Sequence, residues 1–383
     1  MRILHAYKIY RPDIEGGIPA VMSSLAEADD GNQHSILCAR RSGVARKLTV
    51  DGVPVDAVSS LGTLFSTPLA PAYIPQLISR ARTSDLVIHH APMPLTDAAI
   101  VAGLPPGVAL IVYWHAEIVG FALLRDLVSP LLRRVLERAD RIVVSGQPMI
   151  DHSDFLRPHA HKCAVVPYGL DFEDWRQIDE RDRIEAENIR RSKPRHIVSV
   201  GRLVGYKGYD VLTRAMRSVD ADLTIVGEGV LHDELRQLAS TLEVADRVHF
   251  AGRLPRNEIK QLFHAAQVYA FPSVTVAEAF GIVQIEAMAS GLPIVNTDLA
   301  STVPEVARHD IEGLTVPPGD VDALAGALNR ILDDADLRDR FSTAAVRRAA
   351  EFDQSIFRAR MADIYEDATR SRKTAVLNQR RGS

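Results

Sequence analysis

The chain has 383 residues, 46% hydrophobic and 25% charged, ordinary globular values that exclude a disordered protein and allow two to three domains. Lys+Arg 45 against Asp+Glu 49 gives a net charge of −4, which argues against nucleic acid as a partner. Cys38 and Cys163 stand in no CxxC or Cys/His cluster, so neither a disulfide framework nor structural zinc is expected, and a reducing cytoplasm is the simplest compartment.

The opening MRILHAYKIY turns polar within ten residues, so no signal peptide is expected. Short apolar runs at 2–7, 34–39, 85–90, 108–114 and 140–145 read as buried strands, with helices at 17–28, 72–82 and 95–102 between them. Strand alternating with helix predicts a parallel sheet covered on both faces. The uncharged stretch Ala57–Ser79 contains Pro68, Pro71 and Pro75, which suits a loop and a helix better than a membrane span. Phe121, Leu124, Val128, Leu131 and Val135 recur at helical spacing, and Ser129-Pro130 is expected to split that stretch into two helices.

The alternation stops at 171–194, a charged stretch poor in core residues that reads as a linker with a short helix. It resumes with strands near 195–201, 222–227, 247–251, 267–271 and 292–296, and helices at 320–334 and 336–350 close the second domain. The expectation is therefore two doubly wound Rossmann-like domains, 1–170 and 195–352, facing each other across a cleft. A helix at 353–371 is expected to pack back towards the first domain. The remainder, 372–383, reads as a solvated basic tail.

Five segments could carry chemistry. Glu15-Gly16-Gly17-Ile18-Pro19 sets paired glycines before a helix, where backbone N–H groups can meet an anion. Val200-Gly201-Arg202-Leu203-Val204-Gly205-Tyr206-Lys207-Gly208 follows a strand and places Arg202 and Lys207 on one loop, a pair suited to a diphosphate. It is neither a Walker loop nor a GxGxxG fingerprint. Glu278 to Pro293 puts Glu278 in a loop and Glu286 on the following helix, where an acid among apolar positions calls for a partner. Val226-Gly227-Glu228-Gly229 and Trp114-His115-Ala116-Glu117 each end a strand, and His115 is equally a structural histidine or a site residue.

Taken in order, GRLVGYKG, VGEG, EAFGIVQIE continuing as AMASGLPIVNTD, and GLTVPPGD resemble the retaining glycosyltransferases of family 4, which have the GT-B fold. The resemblance runs from residue 2 to about 352. The opening LHAYKIYRPDIEGGI with HHAPMPL and WHAEIV is most similar to bacterial mannosyltransferases of O-antigen and exopolysaccharide synthesis. Two positions depart from the pattern: Val230 where the family has Pro, and Thr302 where near relatives have Gly.

The resemblance implies that Gly16 and Gly17 face the donor diphosphate and that Arg202 and Lys207 bind it. Gly227 and Glu228 would line the donor, and Glu286 would hold the ribose hydroxyls. Glu278 would hold the sugar with the N–H groups around Phe280, Gly281 and Ile282, and His115 would approach the sugar or reacting centre. It further implies a hexose, by preference mannose from GDP-mannose with a UDP-sugar as the other option. The expected acceptor is a polyprenyl-diphosphate-linked glycan, reached by weak peripheral membrane contact, and neither cofactor nor metal is expected. A sugar-nucleotide 2-epimerase of the same architecture and a silent binding subunit of a polysaccharide assembly complex are the rival readings.

Overall fold

The computed structural model describes residues 1–64, 67–117 and 122–381. They form two compact units: Met1–Gly169 together with the C-terminal helix from Ser355, and Leu170–Gln354.

The first unit is built on strands β1 (Arg2–Ala6), β2 (Gln33–Ala39), β3 (Arg46–Val50), β4 (Val53–Val58), β7 (Leu86–Ala91), β8 (Ala109–Trp114), β9 (Arg141–Val144) and β10 (Cys163–Val165), besides a small hairpin of β5 (Thr63–Leu64) and β6 (Thr67–Pro68). The eight-stranded order is β10-β9-β8-β7-β1-β2-β4-β3, parallel except for the β3–β4 hairpin at one edge. Every residue of β7 and β8 is buried, as expected of parallel strands covered on both faces. The sequence reading lacks β3, β4 and β10. β3 and β10 are edge strands, half-exposed or short, and β4, Val53–Val58 beside the β3 edge, is broken by Pro54 and Asp56, so none carries a continuous apolar run. One helix, Ala122–Arg138, runs through Pro130 where two were expected. A single proline removes only one helical N–H, a cost of about 3 kcal/mol that the surrounding packing can offset. Phe121 lies outside the described residues, and so does the side chain of Leu124.

The second unit carries β11 (His196–Val200), β12 (Asp222–Val226), β13 (Val248–Gly252), β14 (Val268–Ala270), β15 (Ile294–Thr297) and β16 (Gly313–Val316), all parallel in the order β13-β12-β11-β14-β15-β16. Its core joins Ile197, Leu223, Ile225, Val268 and Val295 of the strands to Leu212, Leu328 and Phe341 of covering helices.

Two boundary readings are corrected. The segment 171–194 is not a linker: the helices Phe172–Arg176 and Glu180–Ser192 belong to the second unit, with Phe172, Trp175 and Ala186 buried. Three apolar side chains among many charges suffice to dock it, and a composition average hides them. Nor is 372–383 a tail from its start, because the helix Gln354–Arg381 continues and Arg372 pairs with buried Asp140 at 2.7 Å. Arg358 Nε also donates to Ser24 O at 2.7 Å, fastening this helix to the first unit.

Candidate functional site

In the second sheet the chain order runs one way from β11 to β13 and the other way from β14 to β16, so the switch point lies between β11 and β14. In open α/β sheets ligands settle outside the carboxyl ends of the strands at such a point. Arg202 and Lys207 follow β11, and Glu278 to Ile282 follow β14.

The β11 loop is held by backbone bonds to its neighbours. Gly201 N–H donates to Val226 O at 2.9 Å, and Leu203 N–H donates to Glu228 O at 2.9 Å, while the Leu203 side chain is fully buried. Gly227 has φ 139°, and a Cβ there would stand 2.0 Å from Gly201 O, so a side chain would push the two loops apart. A short 3₁₀ turn over Gly205–Lys207 then presents Lys207. Val274 N–H donates to Tyr206 O at 2.8 Å, tying this turn to the segment after β14.

These ties bring Lys207 and Glu278 together, with Nζ 2.6 Å from Oε2 and both side chains only 12% exposed. Lys207 Nζ also sits 5.1 Å from the centre of the Phe271 ring. Arg202 is exposed and donates to the Tyr206 hydroxyl at 3.1 Å. Glu228 and Val230 are exposed at the edge of this loop set, Val230 by 85%.

Gly281, at φ 78°, turns the chain into the helix Ile282–Ala289. A Cβ on it would lie 2.5 Å from the Phe271 ring, so only glycine fits this turn. Gln284 and Asn296 brace the helix start, and neither was marked in the sequence. Asn296 Nδ2 donates to Gln284 Oε1 at 3.0 Å, and Gln284 Nε2 donates to Phe280 O at 3.2 Å, all within the core. The first-turn N–H groups of such a helix lack intrahelical partners and favour an anion or hydroxyl oxygen. Thr302 N–H donates to Ala279 O at 3.0 Å, and its buried hydroxyl has no partner, so the Thr302 departure sits against the Glu278 segment.

Glu286 lies one turn into that helix and is partly buried. Loss of water pushes its carboxyl up to about 7, against the opposing charge of Arg256. Arg256 is itself paired with Asp174 at 2.7 Å and stacked over Trp175 at 4.7 Å.

The remaining sequence candidates belong to the first unit. Gly16 and Gly17 are exposed at the start of the helix Gly17–Ala26, which Gly16 caps. His115 follows β8 and is 3% exposed. Its Nδ1 lies 2.7 Å from the Tyr168 hydroxyl and its Nε2 2.7 Å from His90 Nδ1, so both ring nitrogens are engaged. Among the described residues no group of three or more His, Cys, Asp or Glu could hold a metal ion.

Comparisons with known proteins agree with this architecture. The family described as "Glycosyl transferases group 1" matches residues 180–348, and "Glycosyl transferase 4-like domain" matches 16–169. The chain is 30% identical over 332 residues to a D-rhamnosyltransferase, WbpZ, of Pseudomonas aeruginosa, covering 86% of each. It is 27% identical to O-antigen chain mannosyltransferase C of Escherichia coli, covering 95% of this chain and 97% of the other. Among solved structures, Anabaena Alr3699/HepE in complex with UDP matches with a TM-score of 0.77 at 19% identity, over 96% of this chain and 100% of that one.

Proposed function

The chain belongs to the group 1, family 4-like glycosyltransferases of GT-B fold, and from that premise we propose that it moves a hexose, mannose from GDP-mannose, onto a hydroxyl of a lipid-linked glycan in cell-surface polysaccharide synthesis, with retention of configuration. The observation that carries the reading is the juxtaposition of Lys207, Glu278 and the helix start at Gly281 at the switch point between β11 and β14.

In the proposed reaction the bond from the anomeric carbon to the diphosphate oxygen breaks and the acceptor oxygen bonds to the same face of that carbon. The acceptor proton passes to the departing diphosphate. Negative charge grows on the diphosphate, which Arg202 and Lys207 stabilise. Gly16 and Gly17 offer backbone to the same group. Gly227 and Glu228 line the donor, and Glu286 accepts from the ribose hydroxyls. Glu278 and the N–H groups of Phe280, Gly281 and Ile282 hold the sugar, and His115 contacts the sugar or reacting centre.

Mannose is supported by the mannosyltransferase that aligns along nearly the whole chain, and the rhamnosyltransferase defines the competing sugar. The test is incubation with GDP-mannose, other GDP-sugars and UDP-sugars, with and without a polyprenyl-diphosphate-linked acceptor. Mass spectrometry and the anomeric coupling of the product give sugar, acceptor and stereochemistry. Conversion of a sugar nucleotide without acceptor would mark an epimerase. Binding without turnover of any donor would mark a silent subunit.

A further inference from the structure

Four histidines of the first unit join one carboxylate to one phenol in an unbroken hydrogen-bonded run. Asp30 Oδ2 lies 3.2 Å from His34 Nε2, and His34 Nδ1 lies 3.0 Å from His5 Nε2. His5 Nδ1 is 3.0 Å from His90 Nε2, His90 Nδ1 is 2.7 Å from His115 Nε2, and His115 Nδ1 is 2.7 Å from the Tyr168 hydroxyl.

The sheet register builds this run. His34 on β2 pairs level with Ile3, and His5 stands two residues along β1. His5 is level with Ile88, and His90 stands two residues along β7. His90 is level with Tyr113, and His115 stands two residues on, just past β8. Each step crosses one strand and advances two residues, which keeps every ring on one face of the pleat. His89, one residue out of phase, bonds Asp97 at 2.8 Å instead.

The direction of the run follows from charge. Burial holds all four rings below their ordinary value, His115 at about 3, so each is a neutral imidazole with one N–H and one lone pair. Despite partial burial, hydrogen bonds from Asn32 and His34 keep the Asp30 carboxyl below its usual range, and a carboxylate only accepts. His34 must therefore carry its proton on Nε2 and accept at Nδ1. The same logic passes to His5, to His90 and to His115, where Nδ1 is left to accept from Tyr168. The other groups that act on the rings are Tyr7 and Tyr113 beside His90, Tyr113 stacked 4.4 Å from His115, Tyr365 at 6.3 Å from His34, His89 near His90 and His115, and the N-terminal ammonium near His34. The tyrosines are phenols, and both His89 and the ammonium push the rings further towards the neutral form.

We propose that Asp30 is a remote positioning residue that, acting through His34, His5 and His90, fixes His115 with Nε2 protonated and Nδ1 as a hydroxyl acceptor. For catalysis this rests on the reading of His115 as a donor-contacting residue: a sugar hydroxyl that meets Nδ1 must donate to it and displaces Tyr168.

The test uses the full chain labelled with ¹⁵N-histidine, with long-range proton–nitrogen correlation reporting the tautomer of each ring. The wild-type protein is expected to show Nε2 protonated in all four rings. In Asp30→Asn the amide can donate to His34, so the His115 Nδ1 signal should move from the lone-pair type towards the N–H type. Asp30→Glu should keep the wild-type pattern. With the working donor, Asp30→Asn should lower kcat roughly tenfold at little changed KM, and Asp30→Glu should restore it. An unmoved His115 tautomer in Asp30→Asn, or a reversed ring with unchanged kcat, would overturn the proposal. A wild-type chain inert towards every nucleotide sugar would sink the donor reading of His115, while the ring signals would still decide the wire.

Discussion

Lys207 Nζ and Glu278 Oε2 stand 2.6 Å apart, so the cation assigned to the diphosphate is held by the carboxylate assigned to the sugar. An anion that engages Lys207 must compete with Glu278. Glu278→Gln is therefore expected to tighten binding of a free nucleoside diphosphate several-fold while lowering sugar transfer, as calorimetry and initial rates would measure. Weaker nucleotide binding in this variant would contradict the competition.

The same pair separates the two cations by stability. Lys207→Ala leaves a mostly buried carboxylate unpaired and should cost about 1–3 kcal/mol in denaturant unfolding. Arg202→Ala removes an exposed side chain with one bond to Tyr206 and should change stability by less than about 0.5 kcal/mol. Each should still lower transfer about 10²–10³-fold if it contacts the leaving group. Full turnover in both variants would remove them from the site.

Glu286 gives a pH signature. Burial raises its carboxyl from 4.5 to about 7, so the folded chain holds a proton that the unfolded chain gives up first. Its contribution to stability is present below the unfolded value and is lost as pH rises towards the folded one. Glu286→Gln should accordingly raise Tm at pH 8, by on the order of 1–2 kcal/mol in stability, and leave Tm at pH 4 nearly unchanged. The substitution should also weaken nucleotide binding, because the amide keeps one acceptor oxygen but loses the carboxylate's charge and its second acceptor for the ribose hydroxyls. Parallel melting curves across this range decide the point, and an equal gain at both pH values would refute the assignment.

Transfer is expected to continue in the presence of EDTA, because Arg202 and Lys207 supply the counter-charge that a divalent ion would otherwise give. Rates measured before and after chelation test this. Loss of activity that magnesium or manganese restores would place a metal in the reaction.

Contact with anionic membranes should be weak and salt-sensitive. Among the described residues no helix is long and apolar enough to cross a membrane. The basic C-terminal stretch offers less charge than its sequence suggests, since Arg372 is committed to Asp140. Each cation left near the surface contributes about 1 kcal/mol, screened by salt. Flotation with anionic liposomes at low and high salt should show binding only at low salt. Strong preference for a lipid-free acceptor, with no flotation at either salt, would remove the membrane from the reading.

Much of this protein is determined locally and was legible in the chain. Buried parallel strands such as Leu86–Ala91 and Ala109–Trp114 are continuous apolar runs, and glycine is demanded at 227 by the Gly201 backbone and at 281 by the Phe271 ring. Arg202, Lys207, Glu278 and Glu286 could be named because each motif lies within a few residues of a strand end or helix start. In the chain alone 171–194 reads as a linker with a short helix, and its docking escapes notice because Phe172, Trp175 and Ala186 are few among charges, and docking depends on where those few point. Pairing of Lys207 with Glu278 required the switch-point neighbours β11 and β14, whose carboxyl ends, Val200 and Ala270, are far apart in the chain and adjacent only in the sheet. The histidine run is the strongest case. His5, His34, His90 and His115 are scattered over the first third of the chain, and each alone resembles a core histidine. Only strand order and register place them two residues apart on neighbouring strands of one face. A register shift of one residue would turn a histidine to the other face, and register is set by tertiary pairing rather than by any local pattern.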